Sequence, residues 1–134
     1  MFTLFTDGGA RNNPGPAGIG WVIYGKIKSQ IVASGGEFIG AATNNEAEYR
    51  ALIRGLEECK KLKIKELECL LDSNLVVNQL NGKFKVKQSH LEIFVIEVKK
   101  LESQFNSISY NYIPREKNAL ADRLVNLAID KSVH

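Results

Sequence analysis

Four carboxylates stand where a folded chain can gather them: Asp7, Glu48, Asp72 and Asp122. Asp7 follows Phe2-Thr3-Leu4-Phe5-Thr6, a β-branched and aromatic run that reads as one buried strand. It opens the segment Asp7–Gly18, rich in Gly, Asn and Pro, which reads as a turn-forming loop whose backbone can come close to another group. A carboxylate beside such a loop can hold a hard cation next to a phosphate or a sugar. A polar turn beginning with an ordinary Asp is the competing reading. Asp72 ends a second strand-like run, and Glu48 and Asp122 fall in the first turns of two helical patterns. Acidic residues there also offset the helix macrodipole. Clustered without basic partners, four carboxylates repel one another and raise each other's pKa. Divalent cations remove that cost. Oxygen donors without Cys or His favour Mg²⁺ or Mn²⁺ over Zn²⁺. Two such ions about 3.5–4 Å apart can activate water on one side of a phosphorus and stabilise the leaving oxygen on the other.

The elements that must position these groups follow from the pattern. After the first strand and the loop, Gly20–Tyr24 and Gln30–Ser34 read as strands, with Gly25–Ser29 short enough to close a hairpin between them. Three strands with short connections make an antiparallel meander. Thr43, with Glu46 three residues later, forms a capping-box signature for a helix that carries Leu52, Leu56 and Cys59 on one side. Glu66–Asp72 is the fourth strand, and a short helix from Leu75 to Leu80 stops at Asn81-Gly82. Leu91, Phe94, Val95, Val98 and Leu101 mark another helix, Ile108–Ile113 a fifth strand closed by Pro114, and Leu120, Leu124, Leu127 and Ala128 the last helix. Asp122 shares an i±4 stripe with Asn118 and Asn126 beside that apolar face. The order predicts an α/β mixed sheet of five strands with helices on both faces, and a right-handed crossover joining a parallel pair. The crevice at the carboxyl ends of such strands is where a site forms, and Asp7 and Asp72 fall there if their strands are parallel neighbours.

Composition sets looser bounds. With 134 residues, 44% hydrophobic and 25% charged, the chain reads as one globular domain. A net charge of +3 permits a polyanionic partner without requiring one. Cys59 and Cys69 have apolar neighbours and no metal-ligand spacing, and read as buried free thiols in a reducing compartment. The N-terminus lacks a basic region, and no apolar stretch is long enough to span a membrane. A cytoplasmic location is expected.

Asp7-Gly8-Gly9 with Asn13-Pro14-Gly15-Pro16, Thr43-Asn44-Asn45-Glu46-Ala47-Glu48, Leu71-Asp72-Ser73-Asn74 and Asn118-Ala119-Leu120-Ala121-Asp122 together resemble type 1 ribonuclease H, in order and approximate spacing, across essentially the whole chain. The resemblance implies an RNase H-like fold, with residues 1–134 forming a single catalytic domain. It implies that Asp7, Glu48, Asp72 and Asp122 hold two Mg²⁺ ions, with Mn²⁺ as a possible substitute. Asp7 is then shared between the ions, Asp122 helps hold the one that activates water, and Glu48 and Asp72 hold the one on the leaving-group side. The implied reaction is hydrolysis of the RNA strand of an RNA–DNA hybrid, leaving 3′-hydroxyl and 5′-phosphate ends. Asn13, Asn44, Asn45 and Asn74 match positions that contact the minor groove, with Gly8 and Ala10 approaching through their backbone, and Thr43 matches a DNA-phosphate contact. A monomer acting on a hybrid, without a membrane partner, is expected.

Two departures stand out. Many bacterial members carry a His in the loop before the last Asp, where this chain has Tyr112–Lys117; Arg115 either contacts phosphate there or pairs with Glu116. The region between Leu80 and Ile108 is short for the basic protrusion of some members, and no separate hybrid-binding domain is visible, so weaker and strongly salt-dependent binding is expected. Lys83, Lys85 and Lys87 either touch phosphates or form a solvated edge. Two other functions compete. One is a nuclease of the same fold acting on double-stranded RNA or a DNA junction. The other is a weakly active nucleic-acid-binding module. Hybrid cleavage separates the three.

Overall fold

A computed structural model describes residues 1–27 and 30–132; of the expected hairpin connection Gly25–Ser29, Lys28 and Ser29 lie outside the described residues, as do Val133 and His134. The elements run β1 (Phe2–Ala10), β2 (Gly15–Tyr24), β3 (Ile31–Ala42), α1 (Asn44–Lys61), β4 (Glu66–Leu71), α2 (Asn74–Leu80), α3 (Ser89–Glu102), β5 (Ser107–Tyr112), a 3₁₀ turn at Arg115–Lys117, and α4 (Ala119–Ser132). The sheet order is β3-β2-β1-β4-β5. β1 to β3 form the antiparallel meander, and β1–β4 and β4–β5 are parallel.

The three N-terminal strands are longer than their apolar runs. β1 continues through Asp7 to Ala10, β2 begins at Gly15, and β3 extends to Ala42. Asp7 is therefore a mid-strand residue, and the expected loop shrinks to residues 11–14. The glycines are the reason. They break hydrophobic alternation in the sequence, yet in the sheet they are places where a helix lies directly on the backbone. A Cβ at Gly20 would come 2.5 Å from the Ala121 carbonyl of α4, and one at Gly18 2.9 Å from the Val125 carbonyl. At Gly8 it would collide with the Ala47 carbonyl of α1 and lie 2.6 Å from the Glu48 nitrogen.

These approaches put α1 and α4 on opposite faces of the sheet. On the α1 side a continuous core joins Leu4, Leu52, Leu56, Cys59, Leu67, Cys69, Leu71, Val76, Leu91 and Val98. On the other side α4 presents Ala121, Val125 and Ile129, all buried. Both cysteines are buried and free. The Thr43 capping box forms as expected, and Ser73 caps α2 by accepting from the Val76 N–H. Between Leu80 and Ser107 the only regular element is α3. No helix among the described residues is long and apolar enough to cross a membrane.

Candidate active site

Three backbone placements bring the acidic residues together. Parallel pairing in the register Thr6↔Leu71 sets Asp72, the next residue along, beside Asp7. The Gly8 contact seats the Ala47–Glu48 peptide of α1 on β1. Across the β1–β2 ladder Asp7 faces Gly20, on which Ala121 rests, one residue before Asp122. Each helix thus touches a glycine adjacent to Asp7 with the residue just before its own carboxylate.

One carboxylate oxygen from each of Asp7, Glu48 and Asp72 lies within 4.8 Å of the other two. Asp122 lines the same cavity of about 520 Å³, together with Gly8, Gly9, Ala10, Arg11, Asn44, Arg115, Val125, Asn126 and Ile129. Asp7 and Glu48 are buried, whereas Asp72 and Asp122 are partly exposed. Asn118, fully buried in front of α4, donates from Nδ2 to the Thr6 carbonyl (2.8 Å) and to Asp72 Oδ2 (2.9 Å), tying β1, β4 and α4 together at the site. Arg115 Nη2 stands 3.5 Å from Asp122 Oδ1.

The electrostatics are those of an acidic pit. Burial first, then the Asp72 charge, pushes the Asp7 carboxyl up to about 7. Burial, followed by the charges of Asp7 and Asp72, holds Glu48 well above the usual carboxylate range, and its Oε2 has no hydrogen-bond partner among the described residues. A buried acceptor without a donor, among oxygens at this spacing and with no Cys or His, is the environment a hard divalent cation neutralises. The donor set fits such a cation.

That arrangement makes stability depend on pH. A carboxyl whose folded pKa is raised keeps its proton in the native state after the unfolded chain has released it. Its contribution is complete below the ordinary value of 3.8 and is lost as pH climbs through about 7. The metal-free protein is therefore expected to show a melting temperature that falls between about pH 4 and pH 7. A divalent cation restores it most strongly above pH 7. Differential scanning calorimetry with chelator and with Mg²⁺ across this range checks both parts; a flat profile in chelator is the contrary result.

Of the other residues singled out in the sequence, Gly8, Ala10, Asn44 and Arg115 line the carboxylate cavity. Asn13 stands behind them: its Oδ1 accepts from the Asn44 N–H (2.9 Å), and Asn44 Oδ1 accepts from the Ala10 N–H (2.8 Å), fastening the β1–β2 hairpin to the start of α1. Thr43 is engaged in its cap. Asn74 accepts from Asn78 Nδ2 at the start of α2. Asn45 lies in a separate groove with Leu75, Gln79, Lys83, Phe84, Lys85 and Lys87. Asn45, Asn74 and Thr43 are not among the residues lining the carboxylate cavity. Sequence reasoning assigned no site role to Asn118, Arg11 or Asn126. The Asn118–Asp122–Asn126 stripe carried a signal for two of them, and Arg11, inside the turn, carried none.

A mixed sheet of this order, with an acidic cluster where the parallel pairing of its central strands ends, defines the ribonuclease H-like class. The chain belongs to the reverse transcriptase-like family, whose profile matches residues 5–128, and is close to its ribonucleases HI. It is 48% identical over 124 residues to the bifunctional protein Rv2228c of Mycobacterium tuberculosis and 40% identical over 126 residues to the ribonuclease HI of Halobacterium salinarum. The matches take in 92% and 94% of this chain but only 34% and 63% of those proteins. Among solved structures, the N-terminal RNase H domain of Rv2228c superposes with a TM-score of 0.94 at 45% identity, covering 98% of this chain and 95% of that one. LC11-RNase H1, solved in complex with an RNA/DNA hybrid, superposes with a TM-score of 0.95 at 42% identity, each chain covered in full.

Proposed function

We propose that this chain is a metal-dependent endoribonuclease that hydrolyses the RNA strand of RNA–DNA hybrids, leaving 3′-hydroxyl and 5′-phosphate ends. The observation that carries the reading is the convergence of Asp7, Glu48 and Asp72 within 4.8 Å, with Asp122 on the same cavity wall. The resemblance to LC11-RNase H1, crystallised on a hybrid, supports the substrate. Residues 1–134 act in this reading as one catalytic domain, monomeric and cytoplasmic.

Two Mg²⁺ ions, or Mn²⁺ in their place, would supply water activation and stabilisation of the leaving oxygen. The chain's own part is to hold them. Asp7 would be shared between the two ions, Asp122 would help hold the one that activates water, and Glu48 and Asp72 would hold the other. Asn118 keeps Asp72 turned toward the site by donating to Oδ2. Arg115 lies in the Tyr112–Lys117 loop, which holds no His. Its guanidinium contributes charge and a planar set of donors toward Asp122 or a phosphate.

A hybrid presents 2′-hydroxyls in a wide minor groove that short amides and backbone can reach. Asn44 spends its Oδ1 on Ala10, which leaves its Nδ2 to donate to such a hydroxyl. Gly8 and Ala10 offer close backbone approach beside it. Asn13 supports Asn44 from behind, while Thr43, Asn45 and Asn74 contact the strand or its partner farther out. Lysines flanking Phe84 in the second groove suit the phosphates of the DNA strand.

An end-labelled hybrid incubated with protein and Mg²⁺ should be cut in its RNA strand, to products with 5′-phosphates, and chelator should stop the reaction. Cleavage of an all-DNA junction or of double-stranded RNA, with the hybrid left intact, would overturn the substrate assignment.

A further inference from the structure

The carboxylate cavity does not end at the acidic cluster. Its wall continues along α4 through Val125, Asn126 and Ile129 to Arg11, in the turn between β1 and β2. Arg11 is held there by the face of α4 that also carries Asp122. Its Nη1 pairs with Asp130 Oδ1 at 2.7 Å, and its Nη2 reaches the Asn126 carbonyl and Oδ1, each at 3.4 Å. Asp122, Asn126 and Asp130 follow one another at intervals of four on one side of α4.

Both members of the pair are open to solvent, with side-chain exposures of 44% and 59%. An exposed ion pair contributes little to stability, so exchanging one anion for another costs little. A guanidinium presents a planar fork that matches phosphate better than a single carboxylate oxygen at 2.7 Å uses it. Asp122 and Asp130 are about 12 Å apart along the helix axis, which separates Arg11 from the cleavage end of the stripe by more than a single phosphate group.

We propose that Arg11 is a second phosphate anchor for the strand being cut: in the free protein it is parked on Asp130, and on binding it transfers to a backbone phosphate away from the scissile one. The proposal rests on the hybrid-cleavage reading. Arg11 touches the bound strand but not the reacting atoms, so it is a positioning residue. Asp130 is its competitor: removing the carboxylate frees the guanidinium for phosphate.

The test combines steady-state cleavage with binding of a fluorescent hybrid of about fifteen base pairs, followed by anisotropy in chelator over a series of salt concentrations. Arg11→Gln should raise KM about fivefold, change kcat less than about twofold, and flatten the slope of log affinity against log salt by about 0.7–0.9, the loss of one phosphate contact. Arg11→Lys should keep the slope. Asp130→Asn should hold KM at or below the wild-type value. If the pair only fastens the hairpin to α4, Asp130→Asn raises KM together with Arg11→Gln while the slope stays at its wild-type value, and the proposal falls. An unchanged slope in Arg11→Gln overturns it as well. Failure of the hybrid reading itself registers separately, as a wild-type protein that leaves the RNA strand intact in Mg²⁺.

Discussion

Replacing Asp7 by Asn is expected to lower hybrid cleavage by about a thousandfold or more while making the metal-free protein harder to melt. The two effects share one cause. Asp7 stands among Glu48, Asp72 and Asp122, and burial with the Asp72 charge raises its carboxyl to about 7. At pH 8, without a cation, the native state must carry that charge in the pit. Asn has nearly the same shape, keeps a carbonyl oxygen, and carries no charge. The relief is on the order of 2 kcal/mol, or about 5–10 °C in melting temperature for a domain of this size. With Mg²⁺ present the order should reverse, because only the wild type gains from binding it. At pH 4 the difference should shrink, since Asp7 is then protonated in the native state. Melting curves of both proteins at pH 8 in chelator, set beside cleavage rates, check the prediction. Retained cleavage would remove Asp7 from the site, and a lower melting temperature in chelator would remove the repulsion argument.

Gly8→Ala is expected to be strongly damaging, and Gly9→Ala next to it nearly silent in stability. A Cβ at Gly8 meets the Ala47–Glu48 peptide, including the Glu48 nitrogen at 2.6 Å. The obstacle is backbone inside a helix, which cannot rotate away as a side chain can. Either α1 lifts off the sheet or β1 buckles, and overpacking of this kind costs about 3 kcal/mol or more. At Gly9 the nearest atom is a Val125 methyl at 3.9 Å, an ordinary contact. Urea titrations of the two variants should separate by at least about 2 kcal/mol. Whatever fraction of Gly8→Ala folds should bind Mg²⁺ weakly, because Glu48 moves with the helix. Equal stabilities would contradict the packing described for α1.

The same glycines explain where sequence reasoning stopped. Side-chain periodicity exposes an element only where side chains record it. β4 was legible because Leu67, Cys69 and Leu71 alternate inward, and α1 because Thr43 and Glu46 announce its first turn. In β1 to β3 the inward positions are partly glycines under helices, so strand residues looked like loop. Gly35 is a further case: it leaves room for the Trp21 ring lying against it, at the first residue past the Gln30–Ser34 run. The four carboxylates could be singled out because each stands at the edge of an apolar run or in the first turns of a helical pattern, although β1 itself continues past Asp7. Asn118 was visible only as a member of a polar stripe. Its role as a buried donor to both Thr6 and Asp72 depends on three elements meeting. Nothing local marks the Arg11–Asp130 pair, which joins residues 119 positions apart.

Seating both helices on bare backbone has a consequence for how such a protein can change over time. The spacing between Asp7, Glu48 and Asp122 is set by peptide groups meeting at Gly8 and Gly20, and not by the volumes of Leu4, Leu52, Val125 or Ile129. Core residues can be exchanged, with stability rising or falling, while the gauge of the acidic cluster is conserved. Divergence is thereby channelled: the hydrophobic interior is free to drift, whereas two positions without side chains act as the molecule's ruler.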